Sequence, residues 1–211
     1  MTHPIIADLQ WRYACKNFDI ARKVADSDLD IILQSARLSA SSFGLQPWKF
    51  VVIEDHELRS QLFSASFDQK QIQTCSHLIV LCGLTDITDQ YIDFVTNTAM
   101  QYGWNADRLF LYRKMLMSKC HKFREQGLMQ TYISNQVYTV LGNILHTCAR
   151  LKIDACPMWW FDADRYDDIL WLQARDLHAV VLCPIWYRSM DDIYQHEPKQ
   201  RLSLEDLVVR L

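Results

Sequence analysis

The sequence predicts one globular domain, residues 1–211, in which helices pack against short buried strands. At roughly 100 to 200 residues per domain, this length favours a single core. Half of the residues are hydrophobic and 12% are aromatic, which is enough apolar side chain to offset the conformational entropy that folding costs. Segments with helical spacing of apolar residues alternate with short β-branched and aromatic runs that are typical of strands.

The first helix is predicted to begin near Asp26. Ser27 stands where an N-cap side chain would accept from a backbone N–H, and Asp30 stands where it would reach back, as in a capping box. The apolar residues that follow share one face at helical spacing: Leu29, Ile32, Leu33 and Ala36. This helix should therefore pack on a core.

Three apolar runs of strand length follow. They are Trp48–Ile53, His77–Cys82 and His178–Cys183. The first is predicted to be a buried strand, and the continuous character of the second indicates a strand that is covered on both faces. Asp55 and His56 should open a short helix between the first two runs.

The remaining predicted elements are mostly helices. Residues 91–132 indicate helices without clear boundaries, and a further helix is predicted at 164–172. Ser134–Leu151 is strongly helical and nearly uncharged, so it should lie in the core or at an interface. The chain closes with an apolar tail, Leu207–Leu211.

Composition argues against several classes of function. The net charge of −3 and the absence of a Lys and Arg cluster give no footprint for nucleic acid. Seven cysteines without a CxxC pair indicate a reduced compartment rather than a disulfide framework or a zinc site. No run of 18 apolar residues and no signal peptide is visible, so we expect a cytoplasmic protein without a membrane partner.

Motifs for common chemistries are also missing from the sequence. The five glycines form neither GxGxxG nor a phosphate-binding loop, the seven histidines form no HExxH, and no GxSxG elbow occurs. Without these motifs, two kinds of function remain: chemistry that an organic cofactor carries, or binding of a ligand without chemistry. A phosphate would have to be held by side chains, and two basic pairs offer themselves: Arg12 with Lys16, and Lys199 with Arg201. Most such pairs are solvated surface.

Four blocks of sequence, in order, resemble the nitroreductase family. They are Arg12–Asp19, Ser39–Trp48, Cys156–Met158 and Pro198–Arg201. The segments Gln136–Asn143 and Phe161–Tyr166 also match the family in order and spacing. The resemblance extends over nearly the whole chain.

The resemblance implies an α+β fold with a central, mainly antiparallel sheet flanked by helices, an intertwined homodimer, and one FMN in each of two clefts between subunits. Arg12, Lys199 and Arg201 would hold the phosphate, and Lys16 would lie at the pyrimidine edge of the flavin. Ser41 and Ser42 would reach in from the partner subunit. The full set implied to contact FMN is Arg12, Tyr13, Ala14, Lys16, Ser41, Ser42, Asp68, Gln71, Pro157, Met158, Trp159, Trp160, Lys199 and Arg201.

The resemblance also implies an activity. NADH or NADPH would reduce the flavin, and a small electron-poor acceptor such as a nitroaromatic or a quinone would then be reduced in the same place, in a ping-pong sequence. The cofactor carries this chemistry while the protein supplies orientation and electrostatics. No catalytic side chain is then needed, and no metal.

This chain departs from the family pattern at several positions. Trp159 and Trp160 replace an acid and a glycine, so the pocket should be narrower and more apolar, although the Trp160 backbone N–H still suits a contact to flavin N5. Gln71 replaces a lysine that some members carry. Trp171 and Trp186 stand where glycine is usual.

These departures leave three hypotheses open. The first is an active FMN reductase. The second is an FMN-binding protein whose tryptophans occlude the acceptor site and which serves storage, sensing or interaction. The third is a protein with this fold that binds no flavin.

Overall fold

The computed structural model describes residues 2–211. The α-helices are α1 (Pro4–Trp11), α2 (Asp26–Arg37), α3 (His56–Ala65), α4 (Gln71–Thr74), α5 (Asp89–Gln101), α6 (Ala106–Glu125), α7 (Met129–Leu151), α8 (Ala163–Ile169) and α9 (Leu204–Leu207). The strands are β1 (Trp48–Ile53), β2 (His77–Leu84), β3 (Asp154–Ala155) and β4 (Leu177–Trp186).

The four strands form one sheet in the order β1-β2-β4-β3, and every pairing is antiparallel. The α+β fold with a central antiparallel sheet is thereby confirmed. All eight residues of β2 are buried, as its continuous apolar run predicted. β1 has the predicted bounds but lies at the edge of the sheet and is only partly buried, so the prediction of a buried strand there was wrong.

The sheet separates two layers of core. Leu78 and Val80 of β2 pack with Leu62 of α3 on one face. On the other face, Ile79 packs with Ile144 of α7. The long helix α7 is the predicted central helix, and its buried side crosses this second layer.

Two helix ends differ from the predictions. α2 begins at Asp26 after Ala25, whose side chain makes no capping bond, so the capping box at Ser27 was wrong. Ser27 lies inside the first turn, two residues after the cap position that Ala25 occupies. α8 ends at Ile169, three residues earlier than predicted, because Trp171 adopts a left-handed backbone with φ of 53°. The backbone N–H of Leu172 then closes the turn on the Asp167 carbonyl at 2.9 Å.

The chain ends are arranged outside the sheet. α1, which the sequence did not predict, packs against α7. The tail after residue 196 is exposed throughout, including Leu204 and Leu207 of α9. Of the helices in residues 2–211, none has both the length and the apolar character that crossing a bilayer demands.

Candidate functional site

A cavity of about 510 Å³ lies where the two chain ends meet. We call it the cation cavity, because Arg12, Lys16, Lys199 and Arg201 line it together with Tyr13 and Ala14. α1 ends at Trp11 and the backbone becomes extended at Arg12, which turns the chain away from the helix and into the cavity wall. The Lys199 ammonium donates to the Arg12 carbonyl, 187 positions away in sequence. The fold thus joins the two basic pairs.

The four cations of this cavity are not paired with carboxylates of the described residues. Within residues 2–211, its four cations form no ion pair with a carboxylate, although Glu197 also lines the cavity. Burial lowers the pKa of Lys199, and the nearby charges of Arg12 and Arg201 lower it further. Such a group of guanidinium and ammonium donors is suited to an anion with several acceptor oxygens, such as a phosphate.

A buried carboxylate, Asp192, supports this cavity from behind. Its Oδ2 accepts from the Tyr13 hydroxyl at 3.1 Å and from the Cys15 thiol at 3.2 Å. Burial acts to raise the pKa of Asp192, but hydrogen bonds from the backbone N–H groups of Lys16 and Asn17 outweigh it, and the pKa lies below its usual range. Asp192 is therefore ionised near neutral pH.

The Lys16 side chain links the cation cavity to a second group of predicted contacts. Its Nζ lies 3.6 Å from the sulfur of Cys156, and the Gln71 side-chain amide lies 3.9 Å from the same sulfur. Burial raises the pKa of the Cys156 thiol, although the Lys16 charge opposes this effect. Lys16 and Gln71 are thus held together around a neutral thiol.

The chain from Cys156 to Trp160 runs alongside β4. Met158 exchanges two backbone hydrogen bonds with Leu182, at 2.8 and 3.0 Å, and is buried, while Pro157 is half-buried. This pairing fixes the direction in which the next two residues leave the sheet. The Trp159 and Trp160 side chains emerge 69% and 66% exposed.

These two tryptophans and Phe67 form what we call the aromatic shelf. The rings of Phe67 and Trp160 lie 5.9 Å apart between centroids, and those of Trp159 and Trp160 lie 6.3 Å apart. The shelf lines a second cavity of about 450 Å³, which Tyr138 and His178 also line. The backbone of Trp160 is not among those with positive φ, so replacing the usual glycine causes no backbone strain there.

Backbone strain lies instead at Phe67 of the shelf and at the residue after it. Phe67 and Asp68 have φ of 52° and 56°, a conformation that side chains other than glycine rarely adopt. Asp68 is exposed, and the Gln69 side chain donates to the Trp160 carbonyl at 2.8 Å. The loop after α3 is thereby tied to the shelf.

Ser41 and Ser42 are not brought to either cavity within one chain. The Ser42 N–H donates to the Gln136 side chain at 2.7 Å, and the Tyr132 hydroxyl donates to the Ser42 carbonyl at 2.9 Å. The Ser41 hydroxyl accepts from the Gln46 N–H at 2.9 Å. The turn is therefore fixed against α7.

Sequence reasoning missed three residues that shape the site: Asp192, Cys156 and Arg188. The Arg188 guanidinium pairs with Asp154 at 2.6 Å and lies over the rings of Trp11 and Tyr13. Nothing local in the sequence marks these residues, because their partners lie far away along the chain. For Cys156, its place immediately before Pro157 in one of the family-like blocks was the available signal.

The sequence of this chain matches the model of a known protein family. A model described as the nitroreductase family matches residues 9–185. The chain belongs to the nitroreductase family. It is 33% identical to the major NAD(P)H-flavin oxidoreductase of Aliivibrio fischeri, and the alignment covers 100% of both chains.

Solved structures share the fold of this nitroreductase-family chain at low sequence identity. A nitroreductase family protein from Streptococcus pneumoniae superposes with a TM-score of 0.82 at 20% identity, covering 98% of this chain and 99% of the other. A structure from Exiguobacterium sibiricum, solved in complex with FMN, gives 0.82 at 21% identity, covering 100% and 99%. At this identity the likeness concerns the fold.

Proposed function

We propose that this chain is an FMN-dependent oxidoreductase that transfers electrons from NADH or NADPH to a small electron-poor acceptor. The observation that carries the proposal is the cation cavity, in which four cations without carboxylate partners converge from both chain ends. The flavin oxidoreductase of Aliivibrio fischeri, which aligns over its full length, supports the same activity. Nitroaromatics and quinones are the proposed class of acceptor.

The residues present fit FMN. Arg12, Lys199 and Arg201 would hold its phosphate, replacing a glycine-rich loop. Lys16 and Gln71, held together around Cys156, would face the pyrimidine edge. A volume of about 510 Å³ lies within the range of small-molecule sites, roughly 300 to 1,000 Å³.

When bound, FMN would supply the redox chemistry that connects NADH or NADPH to the acceptor. The protein would orient the flavin and stabilise negative charge on it. The Lys16 ammonium would favour negative charge on the pyrimidine ring, which the amide of Gln71 does less strongly than a lysine would. The aromatic shelf would exclude water and offer flat apolar surfaces to a flat acceptor. A ping-pong order follows if donor and acceptor use one place in turn.

The proposed assembly is a homodimer. Helix α7 carries no charged residue from Met129 to Ala149, and its exposed face includes Tyr138 and Gly142. The exposed tail adds further apolar surface, more than a monomer usually leaves uncovered. A second copy would cover these surfaces. It would also supply its Ser41 and Ser42 to the flavin site, because within one chain these two serines do not reach either cavity.

The main alternative is a flavin-binding protein whose acceptor site is occluded by Trp159 and Trp160. The exposure of both rings on an open cavity wall favours the active enzyme, because neither ring fills the cavity. Anaerobic absorbance tests the choice. An active enzyme is yellow and bleaches with NADH or NADPH, an occluded one is yellow and unbleached, and a protein that stays colourless after reconstitution with FMN contradicts the proposal.

A further inference from the structure

Asp192 joins the two halves of the cation cavity. It is 2% exposed. Its Oδ2 accepts from the backbone N–H of Lys16 at 2.8 Å and of Asn17 at 3.1 Å. Its Oδ1 accepts from the backbone N–H of Tyr194 at 3.0 Å, in the turn that leads to Lys199. One carboxylate therefore contacts both the N-terminal loop and the C-terminal segment of the cavity.

We propose that Asp192 is a positioning residue for the phosphate of FMN, because it holds these two halves at a fixed separation. The proposal rests on the FMN site proposed above. Electrostatics alone predicts the opposite, since a carboxylate near an anion site repels the anion, and its removal should tighten binding. The charge of Asp192 faces hydrogen-bond donors of the protein instead, so its removal should release the loop that carries Lys16.

The substitution Asp192→Asn distinguishes these two expectations. It keeps the shape of the side chain but leaves one acceptor oxygen, with an NH₂ group in place of the second oxygen. If the NH₂ takes the place of Oδ1, it meets the N–H of Tyr194. In the other orientation it meets the N–H groups of Lys16 and Asn17. Either orientation leaves a buried donor without an acceptor.

The first experiment titrates FMN by fluorescence quenching into three variants. Asp192→Asn should bind FMN about tenfold more weakly or worse, as expected for losing one or more buried hydrogen bonds to a charged group. Asp191→Asn is the matched control, because this exposed neighbour changes the charge equally and accepts no hydrogen bond from any described residue; its affinity should equal that of the parent. Glu197→Gln removes a cavity-lining carboxylate and should tighten binding.

The second experiment measures backbone hydrogen exchange in the flavin-free protein. Peptides covering residues 12–18 and 194–201 should exchange faster in Asp192→Asn than in Asp191→Asn. This readout does not depend on FMN. If the parent binds no FMN but exchange still accelerates in both segments, the FMN site is wrong while Asp192 still joins the two segments.

The proposal is overturned if Asp192→Asn binds FMN as tightly as Asp191→Asn or more tightly, or if exchange is unchanged. Should Asp192→Asn not fold, Tyr13→Phe removes only one donor to Oδ2 and leaves the carboxylate in place. Exchange in residues 12–18 should then rise by about tenfold or more, as for one lost hydrogen bond to a charged group. No change in that segment would equally overturn the proposal.

Discussion

The cation cavity and the aromatic shelf differ in how far apart their parts lie along the chain. Arg12 and Lys199 contact each other across 187 positions. In the shelf, Trp159 and Trp160 are consecutive, and the Trp160 ring packs near the ring of Phe67, 93 positions earlier in the chain. The cavity therefore forms only when the two ends of the chain meet, whereas two of the three rings of the shelf come from consecutive residues.

We expect the two regions to have different functions. Retention of the cofactor should depend on the long-range cavity, and a change there should affect binding of any flavin phosphate. Selection of the acceptor should depend on the shelf, where exposed side chains can be replaced without opening a gap in the core. The predictions below act on one region and leave the other as the control.

The largest expected effect concerns the second copy of the chain, which would supply Ser41 and Ser42 to the flavin site. We expect the flavin-bound protein to sediment as a dimer at micromolar concentration. A variant truncated after Leu202 keeps every cation of the cavity but loses the apolar residues of α9 and the tail, so it should dissociate at a higher concentration and release flavin. A stable monomer that retains flavin would remove the dimer from the proposal.

The next effect is on the phosphate. Arg12→Ala and Arg201→Ala should each weaken FMN affinity by roughly tenfold or more, since a hydrogen bond to a charged group is worth about 1.5 to 3 kcal/mol. Arg210→Ala is the control, because it removes the same charge from the same tail but does not line the cavity. Equal affinities in all three variants, measured by fluorescence titration, would show that the phosphate lies elsewhere.

The sequence predicts features that depend on neighbouring residues better than features that depend on residues far away along the chain. The run Trp48–Ile53 has high β-propensity of its own, so that strand was found with its bounds, although its place at the edge of the sheet and its partial burial were not. The basic pairs were visible, but their convergence was not, because it depends on partners at the other end of the chain. Asp192 was one of 25 acidic residues, and its burial and five donors arise only in the folded state. The two-residue strand β3 has no period of its own to detect.

A smaller effect is expected at the shelf. Trp159→Glu combined with Trp160→Gly should raise kcat/KM for bulky nitroaromatics or quinones several-fold more than for small ones, because the indole rings take space beside the flavin. The added carboxylate opposes anionic acceptors, so neutral acceptors of two sizes should be compared. FMN affinity should stay within about twofold of the parent if the two regions are separable. An equal change for both sizes would contradict size selection by the shelf.

The smallest effect concerns Trp171, outside both regions, which tests whether a tryptophan in place of glycine is tolerated there for the same reason as at Trp160 of the shelf. Trp160 has an ordinary backbone, but Trp171 has φ of 53° and a side chain that is 75% exposed. A left-handed conformation costs an L-residue about 1 kcal/mol relative to glycine, and little apolar burial would be lost. Trp171→Gly should therefore raise the free energy of unfolding by up to about 1 kcal/mol and Tm by roughly 2 to 4 °C. Trp104→Gly, at an exposed tryptophan without positive φ, should lower both in the same thermal melts, and a loss of stability in Trp171→Gly would mean that its indole contributes packing that outweighs the strain.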